Sequence, residues 1–309
     1  MRVEKFKLDE VLSIADADVP VCVSFNGGAW RGIFFAGIVE EIQTTFEASE
    51  VEKWAFCGSS AGACYALALA IGFPANDLKK LLCTAASQAR SHLLGVAFRV
   101  NTITGQIIKD MIATVPEDEL MARLHGRFAI CFSKMTCSGP VPYLAYDFEN
   151  KEELYQTCVG SANIPLFSSL TAFPKIGGHR AWDGGMSPDG CVPLLPSRCR
   201  VYSMCFGDGP SRGISLKKNP LPPGVELDIA EVPPVPVSQC FKTPKSDADV
   251  YATAARGLTL AAAFFSSDEW TRRYAEVREA DIHVTYSSMY PEKETATRRR
   301  NSGNEASKS

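Results

Sequence analysis

The chain has 309 residues, of which 46% are hydrophobic, 22% charged and 10% aromatic, and its formal net charge is −3. This composition is typical of a soluble globular protein and excludes collagen-like and disordered chains. The weak negative charge also excludes a strongly basic chain that binds nucleic acid through its phosphates. We therefore expect no nucleic-acid partner.

Targeting signals and metal motifs are not visible in the sequence. No apolar run reaches the ~20 residues that a transmembrane helix needs, and the N-terminus lacks the apolar core of a secretory signal. The 11 cysteines are scattered singly, and with four histidines they offer no metal-ligand spacing. We therefore expect an intracellular, cytoplasmic protein with no metal and no cofactor, and its protein partners stay open.

Strand and helix patterns alternate along the first two thirds of the chain. The patterns predict, in chain order, strands over residues 20–25, 51–57, 127–135, 142–148 and 200–206, and helices over residues 33–46, 61–71, 76–94 and 152–159. Such alternation indicates a layered α/β fold whose sheet is largely parallel and covered on both faces.

The last third of the chain has a different character. Residues 210–244 hold eight of the 19 prolines, which predicts an irregular segment. Apolar residues at helical spacing between Val250 and Phe265 predict a helix that returns to the core. Residues 286–309 lose apolar content and are predicted to be a disordered tail. We therefore expect one catalytic domain over residues 1–285.

The first chemical motif is Gly58-Ser59-Ser60-Ala61-Gly62, a G-x-S-x-G pattern between a predicted strand and a predicted helix. A hydroxyl nucleophile on such a sharp turn needs small neighbours, and the helix N-terminus favours developing negative charge. The pattern is common, so a tight turn without chemistry stays open as the alternative.

Two further motifs are rich in glycine. Asn26-Gly27-Gly28-Ala29-Trp30-Arg31-Gly32 also links a strand to a helix, and its backbone N–H groups could hold an oxyanion. Ala29 breaks the dinucleotide pattern G-x-G-x-x-G, and the chain has no P-loop. Trp182-Asp183-Gly184-Gly185 places a carboxylate on a turn. Each motif alone could be an ordinary turn.

A serine nucleophile needs a base, and two interpretations stay open. The chain has four histidines: His92, His125, His179 and His283. His283 follows Asp281 and could end a triad in the order Ser, Asp, His. The alternative is a two-residue site in which Asp183 itself accepts the serine proton.

Together the motifs resemble the patatin-like phospholipase family, most closely the branch that contains adiponutrin and adipose triglyceride lipase. The resemblance covers about residues 20–205 and includes, besides the three motifs above, Ala86-Ser87-Gln88-Ala89-Arg90 and Ser161-Ala162-Asn163-Ile164-Pro165. Several motifs in matching order are far more specific than any one of them.

The resemblance implies a three-layer α/β/α fold with a mainly parallel central sheet and a Ser–Asp dyad. Ser60 matches the nucleophile, Asp183 matches the dyad carboxylate, and Gly27 and Gly28 match the oxyanion loop. The N–H of Ala61 is expected to complete the oxyanion hole. Ala29 departs from the family pattern, which has a third glycine there.

The function implied by the resemblance is a serine lipid acyl hydrolase that cleaves triacylglycerol or phospholipid esters through an acyl-serine intermediate. Lipid transacylation and a non-catalytic lipid-binding role are the alternatives. A lipid ester substrate implies peripheral association with a membrane or lipid droplet. Trp30, Phe34 and Phe35 either line an acyl-chain groove or pack in the core.

Overall fold

The computed structural model describes residues 1–5, 21–92, 97–165, 167–168, 174–187, 242–267 and 270–271, together with the backbone of residues 200–206 and 226–232. The chain divides into two units, Met1–Ser267 and Asp268–Ser309, and the fold below is that of the first. The predicted domain boundary at residue 285 and the predicted tail over residues 286–309 lie outside the described residues.

The described strands form one sheet and a short hairpin that joins it. They are β1 (Arg2–Lys5), β2 (Val21–Phe25), β3 (Ala55–Ser59), β4 (Phe128–Thr136), β5 (Gly139–Tyr146), β6 (Lys175–Ile176), β7 (His179–Trp182), β8 (Arg200–Phe206) and β9 (Glu226–Val232). The main path runs β1-β5-β4-β3-β2-β8-β9, while β7 pairs with both β4 and β6.

The centre of the sheet is parallel and its remaining strands are antiparallel. Strands β4, β3, β2, β8 and β9 pair with one another in parallel, in that order. Strands β1, β5, β6 and β7 pair antiparallel, so the sheet as a whole is mixed rather than purely parallel. The difference has a local cause, because β4 and β5 are joined by a short hairpin turn that only antiparallel strands can use.

Helices surround the sheet. They are α1 (Ile33–Thr45), α2 (Ala48–Val51), α3 (Ala61–Ile71), α4 (Ala75–Arg90), α5 (Val100–Ala113), α6 (Glu117–Leu124), α7 (Lys151–Ser161) and α8 (Asp247–Phe265). Every residue of β2 and β3 is buried, as expected of strands covered on both faces. The result is the predicted three-layer α/β arrangement.

One strand lies where the sequence predicted irregular chain. Strand β9 runs from Glu226 to Val232, inside the proline-rich residues 210–244, and pairs in parallel with β8. Prolines flank this stretch without entering it, so no ladder N–H is lost. The expectation of an irregular segment is therefore wrong for these residues.

Helices α1 and α8 pack with their backbones in contact. A Cβ added at Gly37 would lie 1.8 Å from the carbonyl oxygen of Ala254, and one added at Gly257 would lie 1.9 Å from that of Phe34. Ser246 and Asp249 form a capping box that starts α8. The C-terminal helix predicted from its apolar spacing is thus part of the core beside α1.

Three further features of the described residues concern membrane-spanning helices, metal sites and cysteines. None of the helices in this part of the chain is long and apolar enough to cross a membrane. Within the same residues, no group of three or more His, Cys, Asp or Glu side chains is placed to hold a metal ion. Of the seven cysteines whose side chains the structure describes, all but Cys137 are buried.

Candidate active site

Ser60 lies on the sharp turn between β3 and α3. Its backbone has φ 53° and ψ −129°, a conformation that L-residues rarely adopt, and it is the N-cap of α3. A Cβ at Gly58 would lie 2.5 Å from Ala63 Cα, and one at Gly62 would lie 2.3 Å from the Phe25 carbonyl oxygen. The structure therefore requires the small neighbours that the G-x-S-x-G pattern predicted.

Strand pairing brings Asp183 to this turn. Strand β3 pairs with β4 up to Ser59 opposite Cys131, and β7 pairs with β4 from Trp182 opposite Ser133. Since β5 occupies the other edge of β4, β3 and β7 share one edge and approach each other from opposite directions. The turn after β3 and the turn after β7 consequently meet.

Asp183 is held in place by backbone hydrogen bonds. Its N–H donates to the Asn163 carbonyl oxygen at 2.7 Å, and its Oδ1 accepts the N–H of Gly185 at 2.9 Å. The residue is the N-cap of a 3-10 turn, Gly184–Met186, and only 7% of it is exposed. The carboxylate therefore has little freedom to turn away from Ser60.

Ser60 and Asp183 line the same pocket, and the Ser60 side chain is near enough to Asp183 to affect the pKa of its carboxyl group. Burial raises the pKa of Asp183 from 3.8 to about 6, although the hydrogen bonds from the Ser60 side chain and the Gly185 N–H act in the opposite direction. A carboxylate with such a pKa is a stronger base than an exposed one, yet it is ionised at neutral pH. The Asp183 carboxylate is thus chemically able to accept the proton of a neighbouring hydroxyl group.

The glycine-rich loop lies against Ser60. A Cβ added at Gly27 would lie 2.9 Å from Ser60 Cβ, so the backbone of the loop packs directly against Ser60. Gly28 precedes the 3-10 turn Ala29–Gly32. Ala61 is the first residue of α3, where an N–H has no intrahelical acceptor. Gly27 and Ala61 are therefore beside Ser60, and the oxyanion role of Gly27, Gly28 and Ala61 stays a prediction.

Ala29 has φ 45°, in the left-handed region that favours glycine. The chain therefore keeps the backbone conformation of a glycine at the position where the sequence departs from the family pattern. The Ala29 methyl group lines the pocket beside Ser60 instead of closing it.

A narrow pocket of about 80 Å³ opens at Ser60 and Asp183. Its wall is mostly apolar: Ala29, Trp30, Ile33, Ala61, Cys64, Tyr65, Leu82, Val100, Ile103, Thr104, Ile107, Ala162 and Ile164. Trp30 lies in this wall, as one of the two interpretations predicted. Phe34 and Phe35 do not; Phe35 packs edge-on against Phe25 at 5.2 Å, and both are core residues.

The histidines that the structure describes do not line this pocket. His125 Nδ1 lies 3.1 Å from Asp147 Oδ1, and the His179 ring packs 5.3 Å from that of Tyr143. His92 is exposed just after α4. His283 lies outside the described residues, as does Asp281, so the triad interpretation stays untested. Asp183 is the carboxylate of the described pocket wall.

Sequence reasoning assigned no role to several residues that support the site. Ser161 Oγ accepts the N–H of Ser60 at 2.8 Å and donates to the Cys131 carbonyl oxygen at 2.5 Å. Asn163 Nδ2 donates to the Ala181 carbonyl oxygen at 3.1 Å, and its Oδ1 accepts from Asn101 at 3.1 Å. Ser161 and Asn163 occur in a quoted motif, but helical spacing alone cannot show which distant atoms they contact.

Comparison with known proteins assigns the family. The family model for patatin-like phospholipases matches residues 23–194, which include most of β2, the Ser60 turn and Asp183. The chain belongs to the patatin-like phospholipase family, as the resemblance of its motifs predicted.

Relatives of known name share part of their length with this chain. The mouse (Mus musculus) protein 1-acylglycerol-3-phosphate O-acyltransferase Pnpla3 is 26% identical over 182 residues, which are 58% of this chain and 42% of that protein. The human (Homo sapiens) omega-hydroxyceramide transacylase is 23% identical over 180 residues, or 58% of this chain and 33% of that protein. The similar region is thus less than half of each relative.

Among solved structures, VipD from Legionella pneumophila aligns over 84% of this chain and 71% of its own, with 13% identity and a TM-score of 0.43. The type III effector protein ExoU aligns over 83% of this chain and 54% of its own, with 14% identity and a TM-score of 0.41.

Proposed function

We propose that the protein transfers acyl groups from lipid carboxylic esters by way of an acyl-Ser60 intermediate, with water as the principal acceptor. One observation carries the proposal: Ser60 and the buried Asp183 line the same narrow, mostly apolar pocket. Family membership supports the substrate class, and the geometry supports the proposed roles of the residues.

The reaction would proceed in two displacements. Asp183 takes the hydroxyl proton as Ser60 Oγ attacks the ester carbonyl carbon, which gives a tetrahedral oxyanion. The oxyanion collapses, the bond to the alcohol oxygen breaks, and Asp183 returns the proton to the leaving alkoxide. Water, deprotonated by Asp183, then attacks acyl-Ser60 and releases the fatty acid. The free serine is regenerated and every proton is returned.

Backbone N–H groups of Gly27, Gly28 and Ala61 are proposed to hold the oxyanion. Each such donor contributes about 3 kcal/mol to stabilisation of the transition state in hydrolases of this kind. The N–H of Ser60 itself is engaged by Ser161, so it is not available for this role. The positive end of the α3 dipole adds to the same stabilisation.

The pocket indicates a fatty acyl group as the part of the substrate that is bound. Its wall is built from aliphatic and aromatic side chains of the 3-10 turn Ala29–Gly32 and of helices α1, α3, α4 and α5, with Thr104 as a polar exception. Burial raises the pKa of the two titratable wall residues Cys64 and Tyr65, which keeps both neutral. An alkyl chain would therefore meet no charge apart from Asp183.

Acyl transfer to another alcohol is the second candidate. It is favoured by two relatives, which are named as an acyltransferase and a transacylase, and it uses the same acyl-Ser60 intermediate. Only the second step differs, because the acceptor hydroxyl replaces water. An acceptor of lipid character would have to reach the mouth of the pocket.

We further propose that the protein meets its substrate at a membrane or lipid-droplet surface. Phe98 and Met186 are large apolar side chains that are each 39% exposed. Phe98 precedes the pocket helix α5 by two residues, and Met186 follows Asp183 by three. Flotation with phosphatidylcholine vesicles tests this proposal, and Phe98→Ser with Met186→Ser should lower the bound fraction.

The activity is tested with a panel of lipid esters, each incubated with and without added monoacylglycerol or lysophospholipid. The proposal expects release of fatty acid by the wild-type protein and no release by Ser60→Ala or by Asp183→Asn. Transfer of the acyl group to the added alcohol identifies a transacylase. Activity that survives Ser60→Ala, or that is lost in His283→Ala while Asp183→Asn remains active, contradicts the dyad. Equal lipid binding without turnover identifies a binding protein.

A further inference from the structure

One short segment contacts both members of the proposed dyad. Ser161, at the end of α7, accepts a hydrogen bond from the backbone of Ser60, and Asn163 accepts one from the backbone of Asp183. Ala162 between them lines the pocket. We propose that Ser161 and Asn163 are positioning residues that fix the direction and separation of Ser60 and Asp183, an inference that rests on the proposed function.

Ser161 holds the strained backbone of the nucleophile. The Ser60 N–H is buried, and the 2.8 Å bond to Ser161 Oγ gives it an acceptor. Ser161 is itself 0% exposed and its hydroxyl donates to the Cys131 carbonyl oxygen on β4. The hydroxyl thus ties the turn at Ser60 to the strand that also pairs with β7. Strained conformations persist only where such contacts over-determine them.

Asn163 holds the other half of the pair. Its carbonyl oxygen accepts the Asp183 N–H at 2.7 Å, while its side chain donates to the Ala181 carbonyl oxygen two residues earlier. These two bonds attach the end of β7 to the chain that follows α7. Asn163 is only 3% exposed, so water competes little for either bond. Asn101 of α5 also bonds the Asn163 side chain, which links the pocket wall to the same point.

The consequence is kinetic rather than a matter of binding. Neither side chain lines the pocket, so their loss should leave substrate affinity unchanged. Misplacement of a reacting group by about 1 Å costs on the order of 10²-fold in rate. We therefore expect Ser161→Ala to lower kcat about 10- to 100-fold with KM unchanged. Ser161→Thr keeps the hydroxyl and should recover most of the rate.

Thr157 provides a matched control on the same helix. It is 1% exposed, and its hydroxyl donates to the Glu153 carbonyl oxygen within α7 at 2.7 Å. Thr157→Ala therefore removes a buried hydroxyl from α7 without touching Ser60 or Asp183. Its kcat for each active site should match that of the wild-type protein, with active sites counted by titration with a fluorophosphonate.

The test measures kcat for each titrated site, KM and the rate of fluorophosphonate labelling for wild type, Ser161→Ala, Ser161→Thr and Thr157→Ala. A lower kcat in Ser161→Ala alone supports the proposal. Wild-type kcat in Ser161→Ala, or an equal loss in Thr157→Ala, overturns it. Absence of labelling at Ser60 in the wild-type protein is a separate result, which refutes the proposed function itself.

Asn163→Ala supplies a second test should Ser161→Ala fail to fold. The variant keeps the main-chain bond to Asp183 and loses the side-chain bond to the Ala181 carbonyl oxygen, so the end of β7 should be held less firmly. We expect a lower kcat with KM unchanged, and a slower labelling of Ser60. A wild-type kcat and a wild-type labelling rate in Asn163→Ala would overturn the role of Asn163.

Discussion

Ser60 and Asp183 meet because β3 and β7 approach each other along the same edge of β4. Ser59 pairs opposite Cys131 and Trp182 opposite Ser133, so the two strands end within a few residues of each other. The two buried residues then line the same pocket. The site is thus a product of strand pairing, and each of its parts can be perturbed separately.

Replacement of Ser60 separates catalysis from stability. Glycine tolerates φ 53° and ψ −129°, whereas alanine does not relieve the strain. Ser60→Gly should therefore be more stable than Ser60→Ala by about 1–3 kcal/mol. Both should lose on the order of 10³-fold or more in rate. Denaturant unfolding measures the first difference, and equal stability of the two variants would contradict the strain at Ser60.

The raised pKa of Asp183 makes stability depend on pH. Because the pKa is about 6 in the folded protein and 3.8 in the reference state, the folded state binds its proton more tightly. The cost of ionising the buried carboxylate is absent below pH 4, grows as the pH rises to about 6 and is complete above that. It amounts to about 3 kcal/mol at most.

Asp183→Asn should remove this cost. The variant should be more stable than the wild-type protein at pH 8, and the difference should vanish near pH 4. Unfolding by urea at a series of pH values measures it, with Asp118→Asn as the control at an exposed aspartate. A stability difference that does not change with pH would mean that burial does not raise the pKa of Asp183.

Gly27→Ala tests how closely the glycine loop approaches Ser60. The new Cβ would lie 2.9 Å from Ser60 Cβ, so either the glycine loop or the Ser60 turn must move. We expect a loss of about 10²-fold in kcat for each titrated site. Gly105→Ala makes a similar overlap, 2.7 Å from the Tyr155 hydroxyl, and should affect stability without lowering kcat. Equal kcat values for Gly27→Ala and wild type would contradict a role of the glycine loop in the active site.

Helix α5 offers a matched pair for the acyl pocket. Ile107 lines the pocket, whereas its neighbour Ile108 is fully buried and does not. Ile107→Phe should narrow the pocket and shift the preference towards shorter acyl chains, measured as kcat/KM across a series of ester chain lengths. Ile108→Phe should lower the melting temperature and leave the chain-length preference unchanged. The same shift in both variants would speak against an acyl chain in this pocket.

The sequence predicts the local parts of this site well. The Ser60 turn is predicted from its glycines, and the packing around them leaves no room for a side chain. Helix α3 has the residue range that its apolar pattern predicts. The Asp183 turn is recognisable only through its motif, since an Asp-Gly-Gly turn is common. What joins the two turns is the register of β7 on β4, which a single sequence does not contain.

Two other misses have different physical origins. Helix α5 lies outside the predicted elements, although its buried residues Ile103, Ile107 and Met111 follow helical spacing and are a signal for it. Strand β9 differs from the prediction because it occupies a proline-free stretch between prolines, which predict irregular chain. The hydrogen bonds of Ser161 and Asn163 depend on tertiary contacts, and residue type alone does not reveal them.

Fluorophosphonate labelling followed by peptide mapping tests the central claim most directly. The account predicts a single adduct on Ser60, formed at a rate that rises with pH through about 6 as Asp183 ionises and that falls at least 100-fold in Asp183→Asn. An adduct on another residue, or a labelling rate that is the same in Asp183→Asn and in the wild-type protein, would contradict it.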